Sequence, residues 1–213
     1  MLIRKRIINK NIHKSYILAS SSKSRFKILQ NAGIRFKQVK PLCNEDEIKK
    51  NILSKSPIVF VKKLSFEKAK SVSMSKKYFN KLTIGCDTIV YFDKKIFDKA
   101  SNIKEAKYKI MKLSGKKHKI VSGLTVCYKG KKIWQCSETT EITIRNLTKK
   151  QIDNYLKDAG SQILQSVGCY QIEGIGPQII ENIKGDFFNV MGLPLFKLLK
   201  YLEKQNEKIL CSR

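Results

Sequence analysis

The chain has 213 residues, 42% of them hydrophobic, which suffices for the core of one large domain or of two lobes. Lysine and arginine number 44 against 17 acidic residues, a formal net charge of +27. That balance excludes an acidic scaffold and leaves two readings: a polyanionic partner, or a lysine-rich solvated surface.

The excess is mostly lysine, single or in pairs, without interleaved arginine and aromatic tracts. This favours a solvated surface over a specific nucleic-acid interface. No apolar run approaches the roughly 18 residues of a membrane span, so no membrane partner is expected. The six cysteines, Cys43, Cys86, Cys127, Cys136, Cys169 and Cys211, form no C-x-x-C pair, and only His13 and His118 accompany them. A structural zinc site is therefore not expected, and scattered single thiols fit a reducing cytoplasm.

Residues 1–15 read as a basic extension, since the nearby run Tyr16-Ile17-Leu18-Ala19 is too short for a signal-peptide core. Tyr16 to Ser20 predicts a first strand. A serine-rich turn follows, then a helix over Ser24 to Ala32 that Gly33 ends. A strand feeding hydroxyls and a helix N-terminus is an anion site, with Arg25 in the first turn; it is also an ordinary serine cap. Phe36 to Lys40 predicts a second strand. Glu45, Asp46 and Glu47 then read either as an acidic first helical turn or as the source of a metal ligand. Ser56-Pro57 opens a helix carrying Val61, Leu64, Ala69 and Val72, with Lys68 toward its end.

The stretch from Leu82 to Asp93 reads as a buried strand interrupted by Asp87. A buried carboxylate needs a cation, a metal or hydrogen-bond donors; alternatively, Asp87 ends a short strand and caps a turn. Asp93-Lys94-Lys95 turns the chain back through Ile96 to Lys99. Asn102 and Glu105 form a capping box for a helix to Leu113. Lys119–Tyr128 and Ile133–Arg145 predict a hairpin about Lys129-Gly130. Thr148 and Gln151 cap a helix to Ala159. A glycine-punctuated loop over Gly168 to Pro177 then flanks a short strand, Gln178 to Ile183 forms another, and Pro194 opens a last helix to Glu203.

Six stretches stand in register: Leu18 to Arg25, Glu67 to Val72, Gly85 to Val90, Leu113 to His118, Val167 to Gly174 and Gly185 to Pro194. In this order and spacing the chain resembles the Maf family of septum-formation-inhibitor-like nucleoside triphosphate pyrophosphatases. The resemblance runs from Tyr16 to about Leu202. It implies an α/β fold, with a long mixed, twisted sheet flanked by helices and two lobes around a central cleft. It places a single domain over 16–205, with a tail over 206–213. It further implies a cytoplasmic enzyme that hydrolyses nucleoside triphosphates to monophosphate and pyrophosphate with Mg²⁺ or Mn²⁺, clears non-canonical nucleotides, forms a homodimer and is linked to arrest of septum formation.

Residue by residue, the resemblance implies that Asp87 is the general base and a metal ligand, and that Glu45 is a second metal-associated acid. Ser20, Arg25, Lys68 and Lys99 match phosphate-binding positions, and Ser24, Thr88 and Glu173 match positions that distinguish bases. The family's pyrimidine branch tends to carry Arg, Thr and Gln at those three positions. The methylguanosine branch carries an aromatic, Gln and Glu, so this chain is mixed. It departs from the family at Lys23, usually Pro, at Asn44, usually Asp, and at Ala100 in the Asp98-Lys99-Ala100 motif. Asn44 and the altered Lys99 loop leave a catalytically weakened regulator as one alternative, and the net charge of +27 leaves a nucleic-acid-binding protein as another.

Overall fold

A computed structural model describes residues 16–52, 54 and 56–204. The extension over 1–15 and the tail over 206–213 lie outside these residues. Among these residues seven strands, β1 (Tyr16–Ala19), β2 (Phe36–Val39), β3 (Thr83–Phe92), β4 (Lys95–Phe97), β5 (Lys117–Tyr128), β6 (Lys131–Ile144) and β7 (Ile180–Lys184), form one mixed sheet flanked by helices, in the order β2-β1-β3-β5-β6-β7, with β4 paired to β3. The α/β fold with a long mixed sheet is thus the one expected. The chain forms two compact units. Of the described residues, the first holds those from Tyr16 to Asp87, Ser122–Ser137 and those from Gly192 to Lys204; the second holds Thr88–Val121 and Glu138–Met191.

In the first unit β1 (Tyr16–Ala19) pairs in parallel with β2 (Phe36–Val39), Tyr16 facing Phe36, and with the start of β3 (Thr83–Phe92), Ala19 facing Gly85. Helix α1 (Lys23–Asn31) follows β1. Ser22 is its N-cap, accepting from the Arg25 amide at 3.4 Å. Gly33, at φ +70°, supplies the left-handed residue just past its end. Because the chain moves from β1 to β2 on one side and reaches β3 on the other, β1 marks a reversal of strand order. The carboxyl ends of parallel strands at such a reversal are where open α/β sheets build ligand sites.

Helix α2 (Glu45–Lys50) is short, and its first turn is the acidic cluster. Helix α3 (Pro57–Ser73) begins at an extended Ser56 with Pro57 in its first turn. Its buried residues are Phe60, Val61, Leu64, Ser65, Lys68, Ala69, Val72 and Ser73, an inward stripe at helical period. Two glycines let α3 lie close to the strands. A Cβ at Gly85 would sit 2.3 Å from the Ser65 carbonyl oxygen, and one at Gly123 would sit 2.3 Å from that of Val61. Strands β5 (Lys117–Tyr128) and β6 (Lys131–Ile144) are the expected hairpin, turned by Lys129 and Gly130 at positive φ. Helix α7 (Leu195–Lys204) is the expected last helix, and its Tyr201 stacks on Trp134 at 4.5 Å between ring centroids.

In the second unit β3 ends against β4 (Lys95–Phe97), and β6 pairs antiparallel with β7 (Ile180–Lys184). Its core packs Val90, Ile110, Ile120, Ile142, Ile144, Ile152, Tyr155 and Tyr170. Helix α5 (Lys149–Ala159) carries the full reciprocal cap between Thr148 and Gln151. Helix α4 (Ile103–Leu113) carries half of one. The Glu105 amide donates to Asn102, but the Glu105 carboxylate accepts from the Ser101 amide and hydroxyl.

No strand forms within Gly168 to Pro177. The amides of Gly174 and Gly176 both donate to the Gln171 carbonyl, which closes turns where pairing was expected. A one-turn helix, α6 (Phe187–Val190), had no sequence signal beyond its Asp186 cap.

Candidate active site

Asp87 lies on β3, two residues past the Ala19–Gly85 pair that ends β1. Its side chain is 10% exposed. The cation that a buried carboxylate needs is Lys68. Lys68 belongs to the inward stripe of α3, and its Nζ lies 2.6 Å from Asp87 Oδ1 and 2.8 Å from Glu45 Oε2. Burial works against the ammonium charge and the Asp87 carboxylate works for it. Arg25 opposes and Glu45 assists, and the net result is a Lys68 pKa above the ordinary lysine value.

Glu45 is held in reach by its own helix end. Asn44 caps α2 by accepting from the Glu47 amide at 3.3 Å. Ser71, one turn beyond Lys68 on α3, donates to the Lys68 carbonyl and accepts from the Leu42 amide. One hydroxyl thus ties the segment before Glu45 to α3. Burial pushes the Cys43 thiol up, against the thiolate form.

Arg25 is oriented from two sides. Its Nε donates to the Gly192 carbonyl at 2.7 Å and an Nη donates to Ser20 Oγ at 3.3 Å. The same Gly192 carbonyl accepts from Cys86 Sγ at 3.2 Å. One carbonyl therefore holds both the phosphate-turn arginine and the residue beside Asp87. Gly192 has φ +104°, a conformation that requires glycine. Ser20 is buried, and its hydroxyl also accepts from the Ser22 amide at 3.2 Å, so it braces the turn.

Five of the expected site residues, Ser20, Arg25, Glu45, Lys68 and Asp87, thus come together in the first unit. Ser24, half-buried, lies on α1 of that unit. Thr88, Lys99 and Glu173 belong to the second; Thr88 is half-buried and the other two are exposed. The sequence carried a signal for Lys68, a lysine at an inward helical position. It carried none for the Gly192 carbonyl or for Ser71, because those contacts link distant segments.

A family model for Maf-like proteins matches residues 15–205. This chain belongs to the Maf family. Among its relatives, the nucleoside triphosphate pyrophosphatase of Caulobacter vibrioides is 35% identical over 187 residues, covering 87% of this chain and 92% of the relative. A 7-methyl-GTP pyrophosphatase of Bartonella quintana is 39% identical over 183 residues, covering 86% and 91%. A nucleoside triphosphate pyrophosphatase of Paramagnetospirillum magneticum is 31% identical over 195 residues, covering 91% and 100%.

Two departures from the Maf pattern fall at helix starts. Lys23 is the first residue of α1, where the backbone N–H has no intrahelical partner and Pro is equally at home. Asn44 is an N-cap, where Asn and Asp perform alike.

The donor set suits a cation that arrives with substrate. Among the described residues no group of three His, Cys, Asp or Glu side chains offers a closed metal cage. Mg²⁺, however, is commonly bound by one or two carboxylates together with substrate phosphates and water. Asp87 and Glu45 fit that mode.

Proposed function

We propose that this Maf-family chain is a nucleoside triphosphate pyrophosphatase. Water adds to the α-phosphorus, the α–β anhydride bond breaks, and nucleoside monophosphate and pyrophosphate leave. The observation that carries the reading is the Lys68 ammonium between Asp87 and Glu45, next to Arg25 at the start of α1. The names of the relatives agree with it.

Phosphoanhydride hydrolysis needs an oriented water and cations on the phosphates. Asp87 orients the water and accepts its proton. Arg25 supplies a fork of donors suited to phosphate oxygens, and the N-terminal amides of α1 add to it. Two of the three Lys68 donors serve Asp87 and Glu45, which leaves one for a phosphate oxygen among the described residues. A divalent cation, Mg²⁺ or Mn²⁺, held by Asp87 and Glu45 would neutralise phosphate charge. Lys99 is assigned to the phosphates on its motif alone.

Ser24, Thr88 and Glu173 are proposed to read the base. Glu173 is acceptor-only and favours a guanine-type edge or a methylated, cationic ring over a pyrimidine O4. Ser24 leaves room where a larger residue would press on the base. The reading is a broad pyrophosphatase tilted toward guanine-type triphosphates. The lysine excess is read as solvated surface.

The test is product analysis of a triphosphate panel with Mg²⁺ or Mn²⁺. Equal amounts of monophosphate and pyrophosphate are expected. Release of orthophosphate alone, or turnover of no triphosphate, would refute the reading.

A further inference from the structure

The two carboxylates assigned to a divalent cation already hold a positive charge. Lys68 Nζ lies within 2.8 Å of an oxygen from each, and its side chain is 8% exposed. Its stem cannot swing out by moving the helix. The neighbours Ser65 and Ala69 are pressed against Gly85, where even an added Cβ would meet Ala69 N at 2.6 Å. Glu45 approaches from the open side, with its side chain 40% exposed.

A divalent ion bound to the same Asp87 and Glu45 oxygens would sit beside the ammonium, and like charges at such separation repel strongly away from bulk water. A triphosphate changes the balance, because it brings several anionic oxygens that can take over the Lys68 donor and share the metal.

We propose that Lys68 is a built-in counter-cation that bars free divalent metal from Asp87 and Glu45 and yields only to a metal–triphosphate complex. The substrate is then that complex, and the protein does not store metal between turnovers. The inference rests on the reading of Asp87 and Glu45 as metal ligands of a pyrophosphatase.

The experiment is Mn²⁺ titration without nucleotide, with bound Mn²⁺ followed by electron paramagnetic resonance. Wild type and Lys68→Arg, which keeps the charge, should bind weakly. Lys68→Met should bind at least about tenfold tighter, equivalent to about one decade in Kd. Adding Asp87→Asn to Lys68→Met should remove that gain. Lys68→Gln, uncharged but polar, gives the same readout should the methionine variant fail to fold.

Tight Mn²⁺ binding by wild type, or no gain in either uncharged variant, would overturn the proposal. Pyrophosphate release is measured alongside. Turnover with no gain in Mn²⁺ affinity removes the counter-cation role and leaves the pyrophosphatase standing. Absence of turnover for every triphosphate removes the pyrophosphatase, whatever the titration gives.

Discussion

Gly85→Ala tests whether the seating of α3 on β3 sets the Lys68–Asp87 geometry. The new Cβ would lie 2.3 Å from the Ser65 carbonyl oxygen, 2.6 Å from the Ala69 amide nitrogen and 2.8 Å from the Ala69 Cβ. Two of those atoms are backbone, so side-chain rotation cannot relieve the clash. Restoring an ordinary 3.4 Å contact with the carbonyl requires α3 and β3 to part by about 1.1 Å. With the lysine stem moving as the helix moves, the 2.6 Å bond opens to about 3.7 Å, outside hydrogen-bond range. Overpacking of this kind costs about 1–3 kcal/mol, and each kcal/mol lowers Tm by roughly 2–4 °C in a chain of this size. Misplacing a catalytic group by about 1 Å costs about 10²-fold in rate. Gly123→Ala is the control. It forces an equal clash against Val61, seven residues and about 10 Å along the helix from Lys68. Both variants should unfold at lower temperature. Gly85→Ala should lose about 10²-fold in kcat and Gly123→Ala at most about tenfold. Activity of Gly85→Ala within about threefold of wild type, or equal losses in the two variants, would refute the reasoning.

Asp87→Asn should lower kcat by about 10²–10⁴-fold in pyrophosphate release assayed below its Tm, the contribution of a positioned acid–base group. Gly192→Ala, strained at φ +104°, should raise KM for every triphosphate and lower kcat; in an Arg25→Ala background the part carried by the arginine should disappear and only the part carried through Cys86 should remain. Glu173→Gln should shift the dTTP-to-GTP ratio of kcat/KM by about tenfold or more, because a polar group mispaired beneath a bound base, and so cut off from water, costs about 1–3 kcal/mol. Burial pushes His118 down to about 4 from 6.5, so the unfolded chain takes up its proton first as pH falls. Its contribution is complete above about pH 6.5 and lost between there and pH 4, amounting to about 3 kcal/mol in all; His118→Gln should flatten that part of a Tm-against-pH curve.

Local features were legible in the sequence. Ser22, Asn102 and Thr148 all cap their expected helices through contacts three residues away, and such contacts are written in neighbouring letters. Asp87 was legible as a carboxylate in want of a cation, because burial demands one wherever the fold places it. The turn around Ile172 was not. Tyr170-Gln171-Ile172 alternates like a strand, but the Gln171 carbonyl is taken by its own downstream glycines, so no acceptor is left for a neighbouring strand. The Gly192 carbonyl bonds a residue 167 positions away, and a backbone acceptor has no letter of its own. Gly85 stands within a motif, yet its reason lies in the Ser65 carbonyl opposite.

The alternative of a weakened, non-catalytic regulator drew its support from Asn44 and from the altered loop at Lys99 and Ala100. Asn44 donates nothing to Lys68 or Asp87; its side chain accepts from the Glu47 amide, as Asp in its place would. The exchange therefore leaves Glu45 in the first turn of α2 and 2.8 Å from Lys68. A chain relieved of catalysis has no reason to keep a lysine inside a helix's buried stripe, since replacing a buried ion pair with well-packed apolar residues is often neutral or stabilising. Lys68, Asp87 and Glu45 are nonetheless all present and in contact, with Arg25 held to Gly192 beside them. Apolar residues could fill these positions at little cost in stability, so the pyrophosphatase reading explains the three charges and the regulator reading does not.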